Sequence, residues 1–352
     1  MTVSPAILFR CDGSSEIGLG HVVRCLALAD ELRDNNDCHI AFAMRQGPIC
    51  FDMIKNKGYE IYSSNNHVEA FDYKEWMDHV VNVTNPKAFI MDVRDDMPIS
   101  LLQDLCDKGI LIVTIDDPSD RRMLANIVFY PPIPQVKSMD WNGFNGELHV
   151  GWEWVILRPE FAQYRNTERQ KTSVARPNIL ITMGGSDPAG LTFMAVDALR
   201  MIIEEFEATV VIGPGFKNKE ALLKKISEVG KEINVVQNPG NMAQLMSDAD
   251  LAMASFGVTA YELAAMGVPA IYLCLTEDHA ESSSVFVEAG IAENLGIYTV
   301  VTQYELSEAM RRLLTDTNDR LKMSKRAIQL VDGRGTERIA RMVVDRLRGK
   351  HG

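Results

Sequence analysis

Ile7-Leu8-Phe9-Arg10-Cys11, then Asp12-Gly13-Ser14-Ser15-Glu16-Ile17-Gly18-Leu19-Gly20, then His21-Val22-Val23-Arg24-Cys25-Leu26-Ala27-Leu28-Ala29 is the stretch that decides how this chain is read. A short apolar run ending in polar residues predicts a buried strand over Ala6–Cys11. Glycines 13, 18 and 20 supply unusual φ values and let the backbone come close to a ligand. Val22, Leu26 and Ala29 fall at i, i+4 and i+7, which predicts a helix opening near His21. Strand, glycine loop and helix form one βα unit.

The same rhythm runs outward along all 352 residues. Further strands are expected at Cys38–Met44, Ala88–Asp92, Ile110–Ile115 and Asn126–Tyr130. In the second half they are expected at Asn178–Met183, Ala208–Ile212, Ile233–Gln237, Leu251–Ala254 and Ala270–Leu275. Helical patterns fill the gaps. Strict alternation implies parallel sheets covered on both faces, and the length fits two domains of about 150–170 residues. Pro131 to Pro134 and the segment up to Arg176 interrupt the rhythm. The expected fold class is therefore α/β, with two Rossmann-like domains facing each other across a cleft. Residues 1–150 form the first domain, 151–176 the connecting segment, 177–330 the second domain and 331–352 a C-terminal helix.

A net charge of −12 argues against general affinity for nucleic acid, which rests on neutralising phosphates. The basic stretch from Arg334 to Lys350 reads as a solvated helix face, or less readily as a membrane or partner contact. No apolar run approaches the about 20 residues that span a bilayer, and Met1 to Phe9 lacks a basic leader, so the cytoplasm is the expected location. Six scattered cysteines without a CxxC or Cys/His cluster predict reduced structural thiols and no metal site.

In open α/β sheets ligands sit beyond the carboxyl ends of the strands. At the first such end, a helix start offers unpaired N–H groups and partial positive charge, surroundings that suit a neutral, proton-accepting histidine. His21 is thus a candidate general base, with a capping or packing role as the plainer alternative. Arg24, one turn on, is a candidate for a phosphate or sugar oxygen. Asp12, Asp92 and the pair Asp116-Asp117 close other strands, where they orient hydroxyls, hold the second histidine nitrogen or simply make turns.

In the second half, Gly184-Gly185-Ser186-Asp187-Pro188 joins a strand to a helix as a candidate diphosphate cradle, with Asp187 as a cap or a sugar-side contact. It is not a Walker loop, because no lysine follows. Ser255-Phe256-Gly257-Val258-Thr259 forms a second such junction, leading to Glu262. That carboxylate either receives a ribose or completes a Thr-x-x-Glu capping box with Thr259. Asp248-Ala249-Asp250 matches a DxD pattern but stands where a strand begins, the wrong end for a ligand cradle.

Arg10-x-Asp12 and Ile17-Gly18-x-Gly20-His21-x-x-Arg24-Cys25-Leu26-Ala27-Leu28-Ala29 resemble the opening of the UDP-sugar hydrolases of pseudaminic acid biosynthesis (PseG type) and of their spore-coat polysaccharide relatives (SpsG-like). Gly151-Trp152-Glu153-Trp154 with Leu157-Arg158-Pro159-Glu160-Phe161, Gly184–Pro188, Asn241-Met242 through Glu262, and Gly267-Val268-Pro269 continue the likeness from about residue 6 to 340. The second half also resembles the peptidoglycan N-acetylglucosaminyltransferases of the GT-B superfamily.

The resemblance implies a metal-independent enzyme without a cofactor. It would release UDP and a free amino-deoxy sugar from UDP-2,4-diacetamido-2,4,6-trideoxy-β-L-altropyranose or a related substrate. It assigns His21 as the base that activates water. It puts Asp12, Gly20, Arg24, Asp92, Asp117, Gly184, Gly185, Ser186, Asp278 and His279 around the substrate, and Met242, Ser255, Gly257, Thr259 and Glu262 around UDP. Two departures stand out: Asp278-His279 replaces the family's Asn-Gln, and Asp92-Val93-Arg94-Asp95-Asp96 lacks its His-Tyr. A GT-B glycosyltransferase using a UDP-sugar donor is the alternative reading, and a non-catalytic nucleotide-sugar sensor is a third.

Overall fold

The computed structural model describes residues 4–14, 18–45, 47–64, 71–165 and 176–349. Ser15, Glu16 and Ile17 of the first loop, and residues 166–175 of the expected connecting segment, lie outside the described residues.

In the first half, β1 (Ala6–Cys11), β2 (His39–Met44), β3 (Glu60–Ser63), β4 (Ala88–Asp92), β5 (Leu111–Ile115), β6 (Ile127–Tyr130) and β7 (Glu147–Val150) make one sheet. Helices α1 (Gly20–Asp34), α2 (Pro48–Asn56), α3 (Tyr73–Thr84) and α4 (Ile99–Asp107) connect its first five strands. The order is β3-β2-β1-β4-β5-β6-β7, every neighbouring pair parallel. Parallel pairing requires crossovers, and the crossovers bury the sheet on both faces. This explains why β4 is buried at all five positions.

The second half repeats the plan. Strands β8 (Asn178–Thr182), β9 (Glu207–Ile212), β10 (Ile233–Gln237), β11 (Leu251–Ser255), β12 (Ala270–Cys274) and β13 (Ala292–Ile297) follow the order β10-β9-β8-β11-β12-β13, again all parallel. A short helix α5 (Glu160–Gln163) precedes them. Between and after the strands come α6 (Leu191–Leu199), α7 (Lys219–Ser227), α8 (Met242–Asp248), α9 (Val258–Ala265), α10 (Glu277–Glu288), α11 (Gln303–Thr315) and α12 (Thr317–Leu330).

All ten expected strands are present. The three that sequence reading passed over, β3, β7 and β13, are sheet edges. An edge strand is covered less than a central one, so it needs no apolar run. Glu60-Ile61-Tyr62-Ser63 has no fully buried residue.

Two compact units result. One comprises residues up to Pro132, Val136–Ile156 and the stretch from Arg334; the other comprises Ile133–Gln135 and Leu157–Gly333. The C-terminal helix α13 (Gly335–Leu347) is thus part of the first unit. Its Ile339, Ala340, Val343 and Val344 share a core with Cys25, Leu28, Ala29 and Leu32 of α1. Burying each of the Ile, Leu and Val side chains among these stabilises by about 1.5–3 kcal/mol. The basic residues of α13 therefore lie on the outer side of a helix whose apolar stripe is already occupied. The six cysteines are free thiols, five of them buried. Among the described residues no helix is long and apolar enough to cross a membrane.

Candidate functional site

In the first unit the strand order reverses between β1 and β4, and this is where side chains gather. His21 lies in the first turn of α1, and its Nδ1 is 2.6 Å from Asp92 Oδ1 at the end of β4. Two lone pairs that close would repel, so a proton sits between them and Nδ1 is the protonated nitrogen. The lone pair of neutral His21 is then on Nε2, which makes no hydrogen bond among the described residues. Asp92 is 1% exposed.

Arg24 meets both oxygens of that carboxylate, Nε to Oδ2 at 2.9 Å and Nη2 to Oδ1 at 2.7 Å. Its Nη1 donates to Asp116 Oδ2 at 3.3 Å. Burial penalises the Asp92 charge, but Arg24 and His21 outweigh it and hold its carboxyl below the ordinary value. Burial likewise penalises the Arg24 cation, and Asp92 and Asp116 more than compensate.

The expected substrate role of Arg24 is thus met by a different geometry: its guanidinium is engaged with two aspartates. Asp12 and Asp117 belong to a separate network. Asp12 accepts from Arg10 Nη2 at 2.5 Å and from the Arg45 amide at 2.7 Å. Asp117 accepts from Arg121 Nε at 3.2 Å and the Ser119 amide at 2.9 Å, and it is 1% exposed. Asp95 is the hub of this network, receiving Arg10 Nη2, Tyr73 Oη and Arg121 Nη1 at 2.6, 2.7 and 3.0 Å. Of the pair Asp116-Asp117, the first stands with Arg24. Sequence reasoning singled out the second, because consecutive aspartates in a loop carry no mark of which way each turns. Gly20 opens α1 without a side-chain cap.

In the second unit the corresponding reversal lies between β8 and β11. Gly184 has φ +80°, and a Cβ there would stand 3.8 Å from Ser255 Oγ, so the two junctions adjoin. Gly185 abuts Gly213, where a Cβ would meet the Gly185 carbonyl oxygen at 2.4 Å, and Ser186 follows in the same loop.

Asp187 caps α6, accepting from Leu191 N and Thr192 N at 2.8 Å each. The amides expected to cradle a diphosphate at this helix start are therefore already taken by a carboxylate. Helix α9 differs: Gly257 is its N-cap and contributes no side chain, so that, with Ala260 N donating to Gly257 O at 3.0 Å, the amides of Val258 and Thr259 have no side-chain cap among the described residues. Thr259 lies in that first turn.

The Thr259–Glu262 capping box does not form. The N-cap is Gly257, and the Glu262 carboxylate instead accepts from Arg158 Nη2 at 3.3 Å. Burial pushes the Glu262 carboxyl up, with Arg158 pulling it part of the way back. Sequence reasoning does not single out Arg158, because a partner 104 positions away has no local signal. Met242 opens α8 behind Asn241, whose side chain accepts from Gln244 N at 3.0 Å.

Asp278 and His279 lie in the first turn of α10, where Thr276 Oγ1 accepts from His279 N at 3.2 Å. Gln135 Nε2 reaches Asp278 Oδ1 at 3.1 Å and Ser282 Oγ at 2.8 Å, a contact the sequence did not announce. Asp250 accepts from the Asn178 amide at 2.8 Å where β8 and β11 begin, which agrees with rejecting the DxD reading.

The family model for the glycosyltransferase family 28 C-terminal domain matches residues 179–339. The spore coat polysaccharide biosynthesis protein SpsG of Bacillus subtilis is 26% identical over 342 residues, covering 95% of this chain and 96% of that one. The chain is thus similar to SpsG over nearly the whole length of both, and its second half matches the family 28 C-terminal domain.

Within that setting, the UDP-2,4-diacetamido-2,4,6-trideoxy-beta-L-altropyranose hydrolase of Campylobacter jejuni is 26% identical, over 69% of this chain and 82% of its own. Protein MJ1062 of Methanocaldococcus jannaschii is 31% identical over 76% of this chain, which spans 55% of that relative's length. The crystal structure of MurG from Acinetobacter baumannii superposes with a TM-score of 0.71 at 17% identity, over 96% of this chain and 99% of the other. The superposition, over nearly the whole of both chains, shows that the two share a fold.

Proposed function

We propose that this protein is a UDP-sugar hydrolase that cleaves the glycosyl C1–O bond and releases UDP and a free amino-deoxy sugar. Its substrate is UDP-2,4-diacetamido-2,4,6-trideoxy-β-L-altropyranose or a related sugar of surface polysaccharide or nonulosonic acid synthesis. The observation that carries this reading is the His21–Asp92 pair, which leaves a basic Nε2 at the carboxyl end of β1. The hydrolase and SpsG relatives support it.

In the reaction, water attacks C1 and gives its proton to His21 Nε2. The C1–O bond breaks with its electron pair going to the diphosphate, so UDP departs as the anion. Asp92 stabilises the imidazolium that forms without taking the proton itself. In the second unit, the uncapped amides at the start of α9 receive the leaving diphosphate, alongside Ser255, Gly257 and Thr259. Glu262 holds the ribose and Met242 lies by the base, with Asp278 and His279 on the sugar or diphosphate.

Incubation with UDP-2,4-diamino sugars in heavy-oxygen water, read by mass spectrometry, tests the reading. Label in the free sugar supports it, whereas label in UDP means attack at phosphorus. The His21→Asn variant should lose turnover and keep UDP binding; loss of both, or of neither, sinks the assignment.

A further inference from the structure

We propose that Asp116 is a positioning residue for His21, acting through Arg24, and that it decides which tautomer the imidazole adopts. The inference rests on His21 being the base, as in the function proposed above.

Two groups compete at His21 Nδ1. Asp92 Oδ1, at 2.6 Å, requires a proton on that nitrogen. Arg24 Nη2, at 3.1 Å, carries only N–H bonds and would require a bare lone pair there. If Arg24 won, the proton would move to Nε2 and the nitrogen open to water would no longer be basic. In the structure Asp92 wins because Arg24 is held from both sides. Its Nε and Nη2 grip the two Asp92 oxygens and its Nη1 is tied to Asp116 Oδ2.

Asp116 reaches that position through an unusual backbone. Its amide still completes the sheet, donating to Phe129 O at 2.9 Å, but its φ is +55°, a left-handed conformation that glycine, asparagine and aspartate adopt more readily than other residues. The turn sends Asp116 toward Arg24 while Asp117 goes to Arg121. Arg94 Nη2, 3.5 Å from the same Asp116 oxygen, flanks the carboxylate from the loop after β4.

The substitution Asp116→Gly removes the carboxylate and suits the positive φ; Asp116→Asn also tolerates it and keeps one acceptor oxygen. The measurement is the ring-nitrogen NMR signature of ¹⁵N-histidine-labelled full-length protein, with the His21 signals identified by their loss in His21→Asn. We expect a pyrrole-type Nδ1 and pyridine-type Nε2 in the unsubstituted protein at neutral pH. Asp116→Gly should shift these toward the opposite tautomer, with Asp116→Asn in between. Turnover of the UDP-sugar should fall about 10-fold in Asp116→Gly with KM within about 2-fold, the pattern expected when an outer-shell partner is lost.

An unchanged tautomer in both variants overturns the proposal, as does a protonated Nε2 in the unsubstituted protein. Should Asp116→Gly fail to fold, Asp116→Asn carries the same test. Should no UDP-sugar be hydrolysed at all, the function proposed above fails, while the ring signals still decide this one.

Discussion

His21 and Asp92, 71 residues apart in the chain, meet at 2.6 Å through Nδ1 and Oδ1, with the carboxylate buried and the imidazole partly open. Asp92→Asn keeps the shape, but its amide can donate to Nδ1 and so stabilise the wrong tautomer. Turnover should fall by about 100-fold or more while UDP affinity, measured calorimetrically, stays within about 2-fold. Equal losses in both would mean that Asp92 serves the fold alone.

Arg10 is fully buried on β1 and depends on Asp95, 2.6 Å away, as one of its two anionic partners. Removing that charge leaves the buried cation with Asp12 as its remaining anionic partner, so Asp95→Asn should cost about 3 kcal/mol in urea unfolding. Asp96, next in the chain and 78% exposed, pairs with Arg45 at the surface. Asp96→Asn should leave the unfolding midpoint unchanged.

Glu262 has its carboxyl raised by burial, with Arg158 opposing. A raised carboxyl binds its proton more tightly in the fold. Its favourable contribution is therefore full below the ordinary carboxyl range and is lost as pH rises through the raised value. Glu262→Gln removes this dependence, so melting curves should show the variant gaining on the unsubstituted protein as pH increases from about 4 to 7. Arg158→Ala removes the compensating cation and should melt lower at neutral pH. Parallel melting profiles for all three proteins would refute the account.

Gly213 packs against the Gly184–Gly185 loop with no room for a side chain, since a Cβ would lie 2.4 Å from the Gly185 carbonyl oxygen. Gly213→Ala should displace that loop and lower both the melting temperature and UDP affinity. Gly240 has open space around its Cβ position and no positive φ. Gly240→Ala, the matched control, should change neither.

Asp92 carries its own pH signature: Arg24 and His21 hold its carboxyl low against the cost of burial. A depressed carboxyl contributes stability that is present above the ordinary carboxyl range and lost as pH falls through the folded value. Acid unfolding should accordingly set in as pH falls through the ordinary carboxyl range and take up a proton at Asp92. Asp92→Asn should show a shallower loss of stability on acidification.

What the amino-acid sequence determined by itself is the βα rhythm and the strand-to-helix junctions, because both are local. A central parallel strand is buried on both faces and reads as an apolar run; a glycine junction at its end announces a tight turn. The central strands Ala6–Cys11 and Ala88–Asp92 are found at the residues expected, and so is Ile233–Gln237, an edge strand that still carries Ile233, Val235 and Val236. The strands β3, β7 and β13 escaped, all three at sheet edges, where half-covered backbone does not require an apolar run such as the one the edge strand β10 happens to keep.

Tertiary structure alone decided which carboxylate serves which cation. Arg24 finds Asp92 and Asp116 across 68 and 92 residues, and Glu262 finds Arg158 across 104. Asp116 and Asp117 are chemically identical neighbours, and only a backbone φ of +55° sends one beside Arg24 and the other to Arg121. Periodicity is written in nearest neighbours along the chain, but charge pairing is settled by distance and burial in the folded sheet.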